Sequence, residues 1–190
     1  MIILSIKKIL TSDEVINMRT AGNVLSEEHV HILKVVGALQ REHDKVERGA
    51  AIDEPFFYKA IDFIRSYADH FHHAKEEGIL FRELNNKPTF PHGPVKVMLH
   101  EHEIGREYTR NMEAALKAND RKALLASAAG YAGLLAQHIH KENTILFPMS
   151  DQALEGKIQE SMLKEFTEVE KKFTGIAGYL TMAKEFETRR

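Results

Sequence analysis

The sequence predicts an all-α protein, an antiparallel up-down four-helix bundle with an additional C-terminal helix. Glycine and proline, 11 and 5 residues in all, gather at a few places, and apolar residues recur at helical spacing between them. Four of these periodic segments are joined by short connections, which favours neighbouring antiparallel helices. Apart from the first ten residues, no stretch has the alternating pattern of a β-strand.

Turn and cap residues set the ends of the predicted helices. Gly49 ends the first, Asp53 caps the second with Pro55 in its first turn, and Asp120 caps the fourth, which is expected to end at Pro148. The loop NNKPTFPHG separates the second helix from the third. The predicted ranges are 24–48, 53–84, 94–117, 120–148 and, for the fifth segment, 157–187.

The length and charge of the chain indicate one soluble domain. We expect 1–23 to form an N-terminal arm or short packed segment, 24–150 the four-helix domain, and 151–190 a C-terminal helical extension of it. The opening MIILSIKKIL lacks the features of a secretory signal, so a cytoplasmic location is expected. A formal net charge of -2 argues against nucleic-acid or anionic-membrane partners, and no apolar run is long enough to span a bilayer.

The side chains left for metal chemistry are imidazoles and carboxylates. The chain has no cysteine, which excludes disulfides, thiolate metal sites and a cysteine nucleophile. It has 11 histidines. Any metal site must therefore use histidine together with aspartate or glutamate.

A ten-residue repeat contains the first candidate ligands. Residues 72–81 read HHAKEEGILF and residues 138–147 read HIHKENTILF. Residues three and four apart share a helix face, and His72 and Glu76 continue an apolar stripe of the second helix. His73 and Glu77 continue the neighbouring polar stripe, so we expect them to face solvent. The apolar run after each glutamate is expected to close the site.

The other helices add inward-facing candidates by the same criterion. On the fourth helix, His138, Glu142 and Ile145 lie on one apolar stripe. His29 is inward on the first helix and His102 on the third. Each of the four helices thus directs one histidine to the interior, and the second and fourth each add a glutamate.

Counting residues along the helices predicts that these side chains lie at one level of the bundle. His29 is 20 residues before Gly49 and His72 is 19 after Asp53, a difference of about 1.5 Å along the axis. The same count gives a one-residue difference between His102 and His138. His43 lies about 21 Å beyond His29 on the same helix and is expected to pack or to face solvent there.

Buried carboxylates in this setting point to metal ions. Two ionised glutamates in an apolar core are costly unless they are paired or bind a metal. A hydrogen-bonded histidine–carboxylate network without metal is the alternative, but it leaves the common level unexplained. Six ligands suit two ions, each with two imidazoles and both with bridging glutamates, and iron fits best, with zinc or manganese as further options. The ferritin-like plan is disfavoured, because only Glu28 and His31 have its glutamate-x-x-histidine spacing.

Four stretches together resemble the hemerythrin-like, or HHE cation-binding, domain family. They are LSEEHVHI, HHAKEEGILF, MLHEHEIGREY and HIHKENTILFP, and the resemblance covers about 24–150. It implies a hemerythrin-like four-helix bundle with a non-haem di-iron centre, bridged by carboxylates and an oxo or hydroxo group. The ligands that it implies are the six reached above: His29, His72, Glu76, His102, His138 and Glu142.

One departure from the family pattern bears on function. In the oxygen-carrying members the third helix looks like histidine-x-x-x-histidine, with a further histidine four residues after the first. This chain has Arg106 at that position, a residue that can reach toward the site. Reversible oxygen carriage is therefore disfavoured. The expected function is binding of, or reaction with, O2, peroxide or NO in oxidative stress response or sensing.

Two alternative hypotheses about the function remain open from the sequence. One is a non-catalytic iron store, iron donor or metal sensor, with the fifth helix reporting metal state. The other is a structural bundle holding zinc or manganese, with a homodimer formed through the last helix. Tyr131 lies on the inward stripe two turns before His138, either as a hydrogen-bond donor near the site or as a core tyrosine.

Overall fold

The computed structural model describes residues 19–189 of the chain, and this range is all-helical, without strands. The predicted arm falls mostly on residues 1–18, which lie outside the described residues. We number the helices α1 to α6 in chain order. Their ranges are Ala21–Glu47, 54–85, His92–Ala118, 121–153, Lys157–Lys172 and Ile176–Thr188.

Helix α1 begins one turn earlier than predicted, at Ala21 instead of Val24. The reason is a capping box: Thr20 accepts a hydrogen bond from the backbone of Asn23, and the Asn23 side chain accepts one from the backbone of Thr20. Residues 21–23 therefore belong to the first helix and not to an arm. Gly49, at φ +101°, follows the end of this helix as predicted.

The predicted caps of α2 and α4 are observed. Asp53 accepts a hydrogen bond from the backbone N–H of Phe56, and Asp120 accepts one from that of Ala123. Helix α4 does not end at Pro148 but continues to Ala153. A π-helical turn precedes the proline, with the Phe147 N–H bonded five residues back to Glu142, and such wide turns accommodate a break in the α-helical hydrogen-bond ladder.

Helix α2 contains two π-helical segments, Ile64–His72 and Glu76–Leu80. In each, the hydrogen bonds run from a residue to the fifth one before it, as from His73 to Ala68. Each wide turn adds a residue relative to α-helical geometry and rotates the side chains that follow. Residues 72–77 consequently do not keep the two separate stripes that a regular helix would give them.

The C-terminal segment is two helices rather than the single one predicted. Helix α5 ends at Lys172, and α6 begins at Ile176. The break includes Gly175 at φ +90°, a conformation that glycine adopts readily and other residues rarely do. Both helices pack on the rest of the domain: Phe166 of α5 is 1 % exposed and Ala183 of α6 is fully buried.

Two apolar clusters form the core. The first core cluster contains residues such as Leu39, Phe57 and Leu124, and the second contains residues such as Leu25 and Phe81. Along α1 and α3 the chain passes from the second cluster to the first, and along α2 and α4 from the first to the second. Each inward histidine lies close to the point at which its helix passes from one cluster to the other.

No helix within residues 19–189 is both long and apolar enough to cross a bilayer.

Candidate metal centre

The structure brings all six side chains predicted as ligands together between the two core clusters. Each is at most 2 % exposed. They come from four helices, so the site depends on the assembled fold and not on any local motif. The six are His29 of α1, His72 and Glu76 of α2, His102 of α3, and His138 and Glu142 of α4.

The four imidazoles form two close pairs. His29 Nε2 lies 3.0 Å from His72 Nε2, and His102 Nε2 lies 3.1 Å from His138 Nε2. All four Nδ1 atoms already contact carboxylate or amide oxygens, which can only accept, so each Nδ1 donates. In a neutral ring the Nδ1 carries the proton and the Nε2 carries a lone pair, so the two Nε2 lone pairs of each histidine pair point toward each other. Two nitrogens bound to one ion at about 2.1 Å and at right angles are about 3.0 Å apart, so both pairs fit a shared metal.

The two glutamates lie between the imidazole pairs. Glu76 Oε1 is 3.2 Å from His72 Nε2, and Glu76 Oε2 is 3.4 Å from His102 Nε2, so each oxygen faces a different pair. Glu142 Oε2 is 3.2 Å from His138 Nε2 and 3.4 Å from His29 Nε2. Each carboxylate thus contacts both imidazole pairs.

The carboxylate oxygens lack other partners. All four oxygens of Glu76 and Glu142 are buried without a hydrogen bond of good geometry, and the imidazole nitrogens are their neighbours. Buried charged oxygens left in this state cost several kcal/mol. Their donor chemistry and their geometry therefore fit metal ions.

Without a metal, the centre is a cluster of mutually stabilising charges. Burial opposes ionisation of Glu76, but the adjacent charges of His72 and His102 outweigh burial and hold its pKa well below its usual value. Burial likewise opposes protonation of the histidines, yet the adjacent carboxylates raise the pKa of His72 to about 10 and of His102 to about 9. Metal ions would replace these protons.

A second layer of side chains repeats in the two halves of the site. Glu28 accepts from His72 Nδ1 at 2.9 Å and from the buried ammonium of Lys75. Its counterpart Glu101 accepts from His138 Nδ1 at 2.8 Å and from Lys141. Carboxylates in this position orient a metal-binding imidazole and increase its basicity.

The two remaining histidines have unlike acceptors. His29 Nδ1 donates to Asn143 Oδ1 at 2.8 Å, whereas His102 Nδ1 donates to the carboxylate of Glu77 at 2.7 Å. Arg106 binds this carboxylate at 2.7 Å. Arg106 thus reaches the centre, as the sequence suggested, through the acceptor of His102.

The prediction that His73 and Glu77 face solvent is wrong for His73, while Glu77 is 30 % exposed and also accepts from His102. The His73 side chain is 12 % exposed and stacks on His102, with ring centroids 3.7 Å apart. Burial and the neighbouring His102 lower the pKa of His73 to about 4. The π-helical segments of α2 cause the error, because the stripe argument assumed regular α-helical spacing.

The aromatic residues of the two repeats cover the site. Phe147 stacks on His29 with centroids 5.4 Å apart, and Phe81 stacks on His102 with centroids 6.0 Å apart. Both rings are at most 2 % exposed. The apolar runs close the site as expected, except that Ile145, placed on the inward stripe, is 53 % exposed. It lies within the π-helical turn of α4, which changes the direction of its side chain.

A cavity of about 130 Å³ opens beside the His102–His138 pair. Its walls come from α2, α3 and α4 and are mainly apolar, and Tyr131 is one of them. Tyr131 is a buried residue, 3 % exposed, that lines the approach to the site. His43 lies away from the centre, with its ring nitrogen 3.0 Å from Asp44.

Comparison with known proteins gives one family. The sequence profile of the Hemerythrin HHE cation binding domain matches residues 20–150, which include all six candidate ligands. No curated protein and no solved structure matches significantly.

Proposed function

Because the chain belongs to the hemerythrin HHE cation-binding domain family, we propose that it is a non-haem di-iron protein that binds or reacts with a small oxidant or gas, in stress response or sensing. The single observation that carries this proposal is the pairing of four imidazoles around two buried carboxylates without other partners. O2, peroxide and NO are the ligands considered.

The proposed assignment places one ion between His29 and His72 and the other between His102 and His138. Glu76 and Glu142 would bridge them, as their contacts with both imidazole pairs support. Two ferrous ions supply two electrons to a small oxidant when bound there. The residues of the chain fix the imidazoles through their Nδ1 hydrogen bonds and exclude bulk water with the two phenylalanines.

The proposal includes the antiparallel arrangement of the first four helices. Its support is the alternating order in which α1 to α4 pass between the two core clusters. In such an arrangement, residues near the middle of each helix meet at one level. The common level of the six candidate ligands follows from it.

The size of the cavity favours a small ligand. At about 130 Å³ it has room for several water-sized molecules, since one water needs at least about 10–15 Å³ of such space. Pockets for larger organic ligands usually occupy about 300–1,000 Å³. A diatomic gas or a peroxide therefore fits beside His102 and His138.

Replacement of the bridging glutamates tests the metal centre. We expect Glu76→Ala and Glu142→Ala each to remove at least one iron per chain, since each takes away a carboxylate that contacts both imidazole pairs. The matched control is Glu42→Ala, because Glu42 is also buried, at 4 % exposure, but lies about 20 Å along α1 from His29. Retention of both irons in the two site variants would exclude the assignment.

An iron store, iron donor or metal sensor is the second candidate. The observation in its favour is a chain of contacts from the centre to α5: His72 to Glu28, Glu28 to Lys75, and Lys75 to Glu170 at 2.8 Å. Through it, metal occupancy can affect the docking of α5. Repeated turnover of peroxide by the iron-loaded protein supports the enzyme, whereas oxidation that stops after one equivalent supports the store or sensor.

A structural bundle holding zinc or manganese, with a homodimer through the last helix, is the third candidate. The donor set accepts either metal. The absorption spectrum of aerobically purified protein separates the candidates, because an oxo-bridged ferric pair absorbs in the near ultraviolet and visible, and zinc does not.

A further inference from the structure

At three positions the first half of the centre has a polar residue that is replaced in the second, two of them within the ten-residue repeat and one three residues before it, and all three lie at one imidazole pair. His73 corresponds to Ile139, Glu77 to Asn143 and Asp69 to Leu135, each pair being 66 residues apart. Asp69 and His73, which are hydrogen-bonded to each other, line the cavity beside His102. Glu77 accepts a hydrogen bond from His102, which also lines the cavity. The His29–His72 pair has no such additions among the described residues.

The His73 ring is held with one nitrogen directed to the centre. Its Nδ1 donates to Asp69 Oδ1 at 3.1 Å. Because the two nitrogens of an imidazole point to nearly opposite sides, this leaves Nε2 on the inner side of the ring with a free lone pair. A ring nitrogen of His73 and ligand atoms of Glu76, His102 and His138 all lie within 4.8 Å of one another.

One guanidinium fixes His73 and His102 together. Arg106 Nε donates to Asp69 at 2.8 Å, and Arg106 also binds Glu77, the acceptor of His102, at 2.7 Å. The two rings are nearly parallel, at 12°, as expected when both Nδ1 atoms are drawn to the same cation through their carboxylates. Both Nε2 atoms are then directed inward side by side.

We propose that His73 is a fifth imidazole ligand of the centre and binds the ion held by His102 and His138. This inference rests on the metal function proposed above. It makes the two metal positions unequal: the ion at His29 and His72 has two imidazoles, and the ion beside the cavity has three. The nearly parallel rings of His73 and His102 must tilt toward each other when the ion binds, because two bonds to one ion converge.

Cadmium-113 with 15N-labelled histidine tests this directly. A bound cadmium ion shows one-bond coupling to each imidazole nitrogen that ligates it, so nuclear magnetic resonance identifies the ligands one by one. We expect coupling to His29, His72, His73, His102 and His138.

The variants follow from the repeat. His73→Ile reproduces the residue that the second copy has as Ile139, and it should lose one coupling and weaken binding of one cadmium ion by about 10-fold or more. Asp69→Asn keeps the ring but weakens its orientation, and about a 10-fold loss of affinity for the same ion is expected. His140→Ile is the matched control, because His140 is exposed, and it should change neither quantity.

The outcomes separate this inference from the function on which it rests. Coupling to His102 and His138 without coupling to His73 overturns the inference alone, and so does unchanged cadmium affinity in His73→Ile. Cadmium that couples to none of these histidines contradicts the metal function itself.

Discussion

Replacing Lys75 by methionine should destabilise the metal-free protein far more than the same change at Lys141. Both lysines follow a site histidine by three residues and bind an equivalent glutamate, Glu28 or Glu101. Their surroundings differ: the Lys75 side chain is fully buried, with its Nζ 4.0 Å from the centre of the Phe71 ring, whereas the Lys141 side chain is 35 % exposed.

The expected magnitudes follow from this difference in burial. Removing one partner of a buried ion pair costs about 3–5 kcal/mol, and the lower end applies to Lys75→Met because Glu28 keeps His72 as a partner. About 3 kcal/mol corresponds to a fall in Tm of about 6–12 °C for a chain of this size. The Lys141–Glu101 pair is only partly buried, so its contribution is expected to be near that of a surface pair, about 0–1 kcal/mol, and Lys141→Met should lower Tm by no more than about 4 °C.

Urea denaturation of both variants in the metal-free state, followed by circular dichroism, measures the two free energies of unfolding. Equal losses in the two variants would refute the argument from burial. A Lys75→Met protein as stable as the parent would refute it as well, because the buried ammonium would then contribute nothing to net stability.

Two further predictions concern α4 and the titration of the centre. A Cβ added at Gly130 would lie 2.4 Å from the Tyr108 ring, so Gly130→Ala should lower the free energy of unfolding in urea by about 1–3 kcal/mol. A Cβ added at Gly133 meets no atom within 4 Å, so Gly133→Ala should raise it by about 0.5–1 kcal/mol. The opposite order would contradict the packing at Tyr108. The raised pKa values of His72, about 10, and His102, about 9, stabilise the metal-free fold fully below pH 6.5, and this contribution is lost as pH rises through 9–10. Both histidines are therefore protonated at pH 7.5, and calorimetric titration with zinc in buffers of different ionisation enthalpy should detect release of protons from both; binding without proton release would be inconsistent with these pKa values.

The convergence of the six candidate ligands could be predicted because it depends on features that regular helices preserve. His29, His102 and His138 lie on apolar stripes of α-helical geometry, and the cap residues Asp53 and Asp120 fixed the count along α2 and α4. The earlier start of α1 does not affect the count of residues along that helix, because the count ran from His29 to Gly49 at its C-terminal end.

The surroundings of the ligands could be predicted only in part. Lys75 and Lys141 occupy identical positions of the two repeats, and Glu28 and Glu101 each directly precede an inward histidine, so the repeat itself carried a signal for this second layer. His73 had no such signal, because its inward direction comes from wide helical turns that periodicity does not reveal.

The endings of two helices depended on interactions that sequence patterns do not show. A proline usually ends a helix, but the π-helical turn before Pro148 lets α4 continue. The division between α5 and α6 occurs at Gly175, within a segment whose apolar spacing is compatible with a single helix. In both places the local backbone geometry, rather than the hydrophobic pattern, decides the outcome.

The central claim is that the four helices together hold two iron ions between paired imidazoles and shared carboxylates. Mössbauer spectroscopy of the iron-57 protein purified in air, combined with metal analysis, tests this claim most directly. We expect two irons per chain, all of them high-spin ferric and coupled to a diamagnetic ground state, because Glu76 contacts both imidazole pairs and keeps the ions close. A single magnetically isolated iron per chain, or zinc in place of iron, would contradict it.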